Sequence, residues 1–298
     1  MAVHHVGVSE RGTILVALAP SKAAPAAAPG FGAFARSADL AAFVRRVLEV
    51  VEQELGLSSY HLRVLPYQRA FSSDEALALF LLADDAAPVR EASAAWGFLF
   101  YVAGTNDVVR YVPVMSNMDD LDAPIIYQDA EGKTVEVPGL TLRSVVLRGQ
   151  EPEAAVRCSL DFQGRSCYVV VMAPGSPAAL KAAAAGAGEV VRLQRELEDP
   201  ELQALWGAAA ELAESHGGFE EMHLNAGNFQ NVAQMHLKVW ICLDQFLEMW
   251  GDQPVYQQLR ASRHQREKAH AAAKKAAAEA KAQHSPRNRL GPCMPTPC

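Results

Sequence analysis

Three side chains spaced two residues apart, Gln234, His236 and Lys238, are the part of this chain best equipped for chemistry. On a β-strand, residues at i, i+2 and i+4 project from one face. The spacing therefore predicts an imidazole flanked by an amide and an ammonium group on one surface. Met235, Leu237, Val239 and Ile241 then point the opposite way, into a core. Neutral imidazole is a nucleophile. The Gln234 amide donates hydrogen bonds but does not titrate near neutral pH. The Lys238 ammonium clamps an anion as a point charge, and its proximity favours the neutral ring. A single histidine on a strand is more often an ordinary hydrogen-bonded side chain, so its surroundings decide the reading. Upstream stand Asn225-Ala226-Gly227 and Phe229-Gln230-Asn231-Val232.

This stretch resembles the signature of the histidine triad superfamily, in which an Asn-x-Gly turn leads to Gln-Ser-Val and a strand with three alternating histidines. The resemblance implies that His236 attacks the α-phosphorus of a nucleotide conjugate and forms a nucleotidyl-histidine, splitting one hard displacement into two easier ones. It implies that Asn225, Gln230, Asn231, Gln234 and Lys238 bind the phosphate. No metal or other cofactor is implied, because the protein supplies the charge. The chain departs from the pattern at Gln234 and Lys238, which replace the outer histidines, and at Asn231, where serine is usual. The related galactose-1-phosphate uridylyltransferases carry glutamine at the last triad position, so an incomplete triad is compatible with catalysis. Two functions follow from the resemblance. One is a nucleotide hydrolase or transferase. The other is a catalytically inactive subunit of a larger assembly.

The flanking elements are legible from period and punctuation. Thr13 to Ala19 reads as a buried strand ending at Pro20, and Ser21 to Gly32 as a loop. Ser37 is expected to cap a helix that runs to Leu55, with Gly56 as its stop. Tyr60 to Leu65 alternates as a strand. Cys167 to Ala173 is again an apolar run before a proline, followed by a helical link over Pro177 to Leu197. Asp199 is expected to cap a helix with Pro200 in its first turn and Gly217-Gly218 at its end. Met222 to Asn225 begins the next strand.

Tyr60-His61-Leu62 resembles Met222-His223-Leu224, and Leu18-Ala19-Pro20-Ser21 resembles Met172-Ala173-Pro174-Gly175. These matches point to two histidine-triad-like halves, residues 1–110 and 111–254, as in the uridylyltransferase and dinucleoside polyphosphate phosphorylase branches. The first half has no counterpart to His236, since Ala76 to Leu82, where the triad strand is expected, is wholly apolar. Strands are also expected at Trp96–Ala103, Leu140–Leu147 and Ala154–Phe162, with a hairpin over Ile125–Val137 turning at Glu131-Gly132. The sum is an α+β fold: an antiparallel sheet with covering helices.

The net charge is −7, yet residues 259–298 carry nine basic and only two acidic side chains. An acidic body therefore bears a basic arm. Its alanine, lysine, arginine and glutamate content predicts a helix over Val255–Ala282, free to meet an acidic protein or RNA surface, followed by a proline-rich tail. Asp119, Asp120 and Asp122 read as a solvated loop, because the glycine and terminal glutamate of a calcium loop are missing. Five scattered cysteines without a Cys-x-x-Cys pair point to free thiols in a reducing compartment such as the cytoplasm, with organellar import as an alternative. No stretch has the length of a membrane span. The resemblance implies a homodimer, or an internal pseudo-dimer of the two halves.

Overall fold

The computed structural model describes residues 2–9, 12–21, 29–70, 75–105, 125–128, 134–137, 146–149, 154–161, 165–186, 191–230, 232–253 and 256. Residues 1–249 form one compact unit. Of the second unit, residues 250–298, too little is described to place the predicted basic helix, and the expected Asp119–Asp122 loop also lies outside the described residues.

The architecture is mixed α+β around a nine-stranded antiparallel sheet. Its strands are β1 (Ala2–Val8), β2 (Ile14–Pro20), β3 (Ser59–Pro66), β4 (Phe98–Thr105), β7 (Val146–Arg148), β8 (Val156–Leu160), β9 (Cys167–Met172), β10 (Glu221–Ala226) and β11 (Leu237–Trp240). A separate hairpin pairs β5 (Ile125–Gln128) with β6 (Thr134–Val137), where the sequence predicts it. The sheet order is β1-β2-β4-β3-β10-β11-β9-β8-β7.

Outward from the β3–β10 boundary, the strands run β3-β4-β2-β1 on one side and β10-β11-β9-β8 on the other. In chain order within each quartet, both sides read third, fourth, second, first. Leu62 faces Leu224 across the boundary. The two short matches that suggest a repeat, Tyr60-His61-Leu62 and Met222-His223-Leu224, thus meet at the centre of the sheet.

One face is a continuous apolar core. It is covered by α1 (Gly30–Ala35), α2 (Asp39–Leu48) and α7 (Asp199–Glu214), the last preceded in the chain by the short helix α6 (Pro177–Ala184). Strand alternation supplies Leu62 and Val64, Phe98 and Phe100, Leu224, Leu237, Val239 and Val170 to this side, all buried. Trp206 of α7 is fully buried, its ring 5.9 Å from Phe31 and 5.5 Å from Phe100. Its indole N–H donates to Gln194 Oε1 at 2.7 Å, so the ring adds apolar area without leaving a polar atom unpaired.

Two caps differ from the sequence reading by one residue. The N-cap of α2 is Ala38 rather than Ser37, and it makes no side-chain cap bond. The N-cap of α7 is Glu198 rather than Asp199. Glu198 and Glu201 form a reciprocal capping box, which satisfies two helix-end N–H groups, whereas Asp199 occupies the first helical position beside Pro200. After Leu48 the expected long helix continues to Glu54 as a π-helix, and Gly56, at φ +65°, turns the chain away.

On the opposite face, α3 (Tyr67–Ala70), α4 (Glu75–Leu81) and α5 (Ala87–Trp96) follow β3 and lead to β4. Among the described residues they pack on the β1-β2-β4 end and on Leu65 at the end of β3, where Leu77, Leu81 and Val89 meet Leu15, Ala17, Leu99 and Tyr101. The segment Ala76–Leu82, expected as the first-half triad strand, is thus largely helix α4. An apolar run of seven residues fits a buried helix face as well as a strand. The strand in that topological place is β4. Leu62 pairs with Val102 as Leu224 pairs with Leu237, so one step further along, Tyr101 takes the position of His236. A buried phenol stands there instead of an imidazole.

Candidate functional site

Past the reach of α3–α5, the same face of the sheet turns polar. β3 contributes His61 and Arg63, β10 contributes Glu221, His223 and Asn225, and β11 contributes Lys238 and Trp240. Register brings them together. His61 faces Asn225 and Arg63 faces His223 across β3–β10, and His223 faces Lys238 across β10–β11.

His236 lies one residue before β11, beside the Leu224–Leu237 pair. The expected alternation holds on the core side, where Met235, Leu237, Val239 and Ile241 are all buried. It does not hold on the polar side. The strand begins only at Leu237, Gln234 sits in a bend, and the His236 residue is only 7% exposed instead of open on a surface. The short turn Gly227–Phe229 and an isolated bridge at Val232 precede it. Gly227, at φ +62°, is required there: a Cβ would lie 2.0 Å from the Ser58 carbonyl oxygen.

The ring geometry is informative. His236 Nδ1 lies 3.0 Å from the Gln234 carbonyl oxygen. A carbonyl oxygen can only accept, so Nδ1 carries the proton and Nε2 keeps the lone pair when the ring is neutral. Burial, followed by the Lys238 cation, pushes the imidazole down to about 4. The ring is therefore neutral at pH 7, with Nε2 free of a proton.

Lys238 is anchored rather than loose. Its Nζ lies 3.3 Å from Asp161 Oδ1. Asp161 has no exposed side-chain surface, and its Oδ2 also accepts from Arg165 Nε at 3.1 Å. The Arg165 guanidinium lies over the Trp240 ring, 5.4 Å from its centre. One buried carboxylate thus holds two cations beside His236.

The other sequence-predicted residues divide. Asn225 is on the polar face, its Oδ1 2.7 Å from His61 Nδ1. Gln230 is buried and donates from Nε2 to the Arg192 carbonyl at 3.1 Å, which ties it to the chain away from the sheet. Asn231 lies outside the described residues. His61, His223, Arg63, Asp161 and Arg165 are not among the candidates read from the sequence. Their signal was indirect: His61 and His223 appear in the repeated tripeptides, and nothing local marks Asp161 as facing Lys238 across 77 positions.

Cys158 and Cys167 are both buried and free. Cys158 pairs with Val170, while Cys167 pairs with Trp240, so alternation places the thiols on opposite faces of the sheet. Among the described residues no group of three or more His, Cys, Asp and Glu could hold a metal ion, and no helix is long and apolar enough to cross a membrane. A cavity of about 650 Å³ beside α7 and one of about 140 Å³ beside α2 do not include His236. No family model matches the chain, and neither does any curated protein or solved structure.

The depressed His236 value has a consequence for stability. The unfolded ring takes a proton below about pH 6.5, whereas the folded ring resists until about 4. Stability is thus unaffected above about pH 6.5, falls as pH drops toward 4, and loses about 3 kcal/mol in total from this group. His223, pushed down to about 3 mainly by burial, acts in the same direction. Urea unfolding at pH 7.5 and 4.5 should show a smaller pH effect in His236→Asn than in the parent protein. Equal effects in the two proteins would contradict the buried neutral ring.

Proposed function

We propose that the chain is a histidine-triad-like nucleotide-binding protein in which His236 attacks the α-phosphorus of a nucleotide conjugate. The observation that carries this reading is the His236 Nδ1 contact with the Gln234 carbonyl, which leaves Nε2 as the nucleophile. In the first step Nε2 donates its electron pair to phosphorus and the bond to the leaving group breaks, giving a nucleotidyl-histidine. In the second step water or another acceptor attacks phosphorus, and Nε2 leaves with its electron pair. Lys238, fixed by Asp161, offsets the charge that gathers on the phosphate oxygens. Asn225 and Gln234 add hydrogen-bonding capacity beside it. The mirrored order of the two strand quartets supports the two-half reading, with β4 and its Tyr101 as the half without a nucleophile.

A second reading draws on the burial of His236 and on Gln230, whose amide is spent on the Arg192 carbonyl. Both features fit a subunit that keeps the fold and has lost turnover. One experiment separates the two. The folded protein is incubated with a labelled nucleoside phosphoramidate or dinucleoside polyphosphate, and the adduct is trapped by acid-free denaturation. A nucleotidyl group on the peptide that contains His236 supports the enzyme. Absence of both adduct and nucleotide binding supports the inactive subunit.

A further inference from the structure

At the β3–β10 boundary three atoms with lone pairs converge: His61 Nδ1, His223 Nε2 and Asn225 Oδ1. His61 Nδ1 is 2.7 Å from the amide oxygen and 3.3 Å from the second imidazole nitrogen. The amide oxygen can only accept, so the neutral cluster satisfies itself with a single shared proton on His61 Nδ1. Donor atoms about 2.1 Å from one ion stand roughly 2.9–3.4 Å apart in octahedral or tetrahedral geometry. The nitrogen pair already has that separation, and the 2.7 Å contact of the oxygen with His61 Nδ1 is a few tenths of an ångström short of it.

We propose that His61, His223 and Asn225 form a binding site for one divalent first-row ion of the zinc type, with water completing the coordination. Two borderline nitrogen donors and one neutral oxygen suit such an ion better than magnesium or calcium. The surroundings of the pair are polar on one side. His223 Nδ1 lies 3.8 Å from Glu221 Oε1, beyond hydrogen-bond length, so this carboxylate is a neighbour of the ring that would have to approach to orient it. His61 packs against Phe229, ring centres 4.1 Å apart, which restrains its rotation. Arg63 lies opposite His223 and opposes a second cation, but its Nε is 3.4 Å from Glu221 Oε1, which offsets that charge locally. His61, His223 and Asn225 are half-buried and supply three protein donors, so the ion keeps positions for water or an anionic ligand. Nothing in the phosphorus chemistry assigned to His236 calls for it.

The test uses the full chain, stripped with chelator and titrated with Zn²⁺ by calorimetry. One equivalent should bind, and that component should vanish in His61→Ala and in His223→Ala while persisting in His236→Asn. Failure of the nucleotide reading would therefore leave this result untouched. Unchanged Zn²⁺ binding in folded His61→Ala and His223→Ala would overturn the site. Should either variant misfold, the unmutated protein still decides the matter through diethyl pyrocarbonate labelling read by peptide mass spectrometry. At Zn²⁺ about ten times the dissociation constant, His61 and His223 should react about tenfold more slowly, while exposed His4 is unaffected. Equal labelling of all three with and without Zn²⁺ would also overturn it.

Discussion

Replacing His236 with asparagine is expected to abolish the covalent nucleotide adduct and to lower turnover about 10³-fold or more, with the sheet intact. The size follows from the role. A group that forms the bond to phosphorus has no substitute in the site, since the Gln234 amide is not a nucleophile and Lys238 Nζ is engaged with the Asp161 carboxylate at 3.3 Å. Lys238→Met also costs stability, because the buried Asp161 carboxylate then loses one of its two cations, and in the folded protein it is expected to slow turnover about 10²-fold while leaving the adduct detectable at long times. The two variants thus differ in kind: the first removes the intermediate and the second slows its formation. Intact-protein mass spectrometry after manual quenching distinguishes them. An adduct of undiminished yield in His236→Asn would assign the nucleophile elsewhere.

The second large effect concerns Asp161. Its carboxylate has no exposed surface and accepts from Lys238, from Arg165 Nε and, at 3.3 Å, from the Arg165 backbone N–H. Lys238 is itself only 12% exposed. Removing one partner of such a pair takes away the carboxylate that faces a desolvated cation, a loss that in buried pairs costs about 3–5 kcal/mol. Arg165 is two-fifths exposed and contributes little to that figure, because solvent screens it. Asp161→Ala is therefore expected to lose about 3 kcal/mol or more, and Asp161→Ala/Lys238→Met to recover most of it, since no charge is then stranded. Equilibrium urea unfolding of the four proteins in that cycle gives the coupling directly. A loss below about 1 kcal/mol in the single variant would show that Lys238 reaches solvent on its own.

What the sequence revealed depended on how local each signal was. Alternation over Met235–Ile241 depends on the backbone alone, and the core side followed it without exception. The strand bounds at β2, β3, β9 and β10 lie within a residue or two of the apolar runs that marked them. The helix start at α7 missed by one because Glu198 and Asp199 are both competent caps, and only the reach of Glu201 back to the Glu198 N–H chooses between them. Ala76–Leu82 failed as a strand because a run without polar positions has no period to read. The burial of His236 was not legible either. His236 precedes the first strand residue, Leu237, so the alternation rule does not reach it, and the Lys238–Asp161 contact beside it spans 77 positions that no spacing rule anticipates. The same limit hid the cluster at the β3–β10 boundary. His61 and His223 were visible as a repeated tripeptide, but only the antiparallel register, with Leu62 opposite Leu224, sets them side by side.

All of the functional reading depends on an unprotonated His236 Nε2 that meets an anionic ester beside Lys238. Crystals soaked with a nucleoside monophosphate test that arrangement most directly. Phosphate density is expected within about 3.5 Å of Nε2, with Lys238 Nζ on one of its oxygens and the Nδ1 contact to the Gln234 carbonyl preserved. Nucleotide density on another face of the sheet, or a His236 ring that stays sealed at saturating nucleotide, would contradict it.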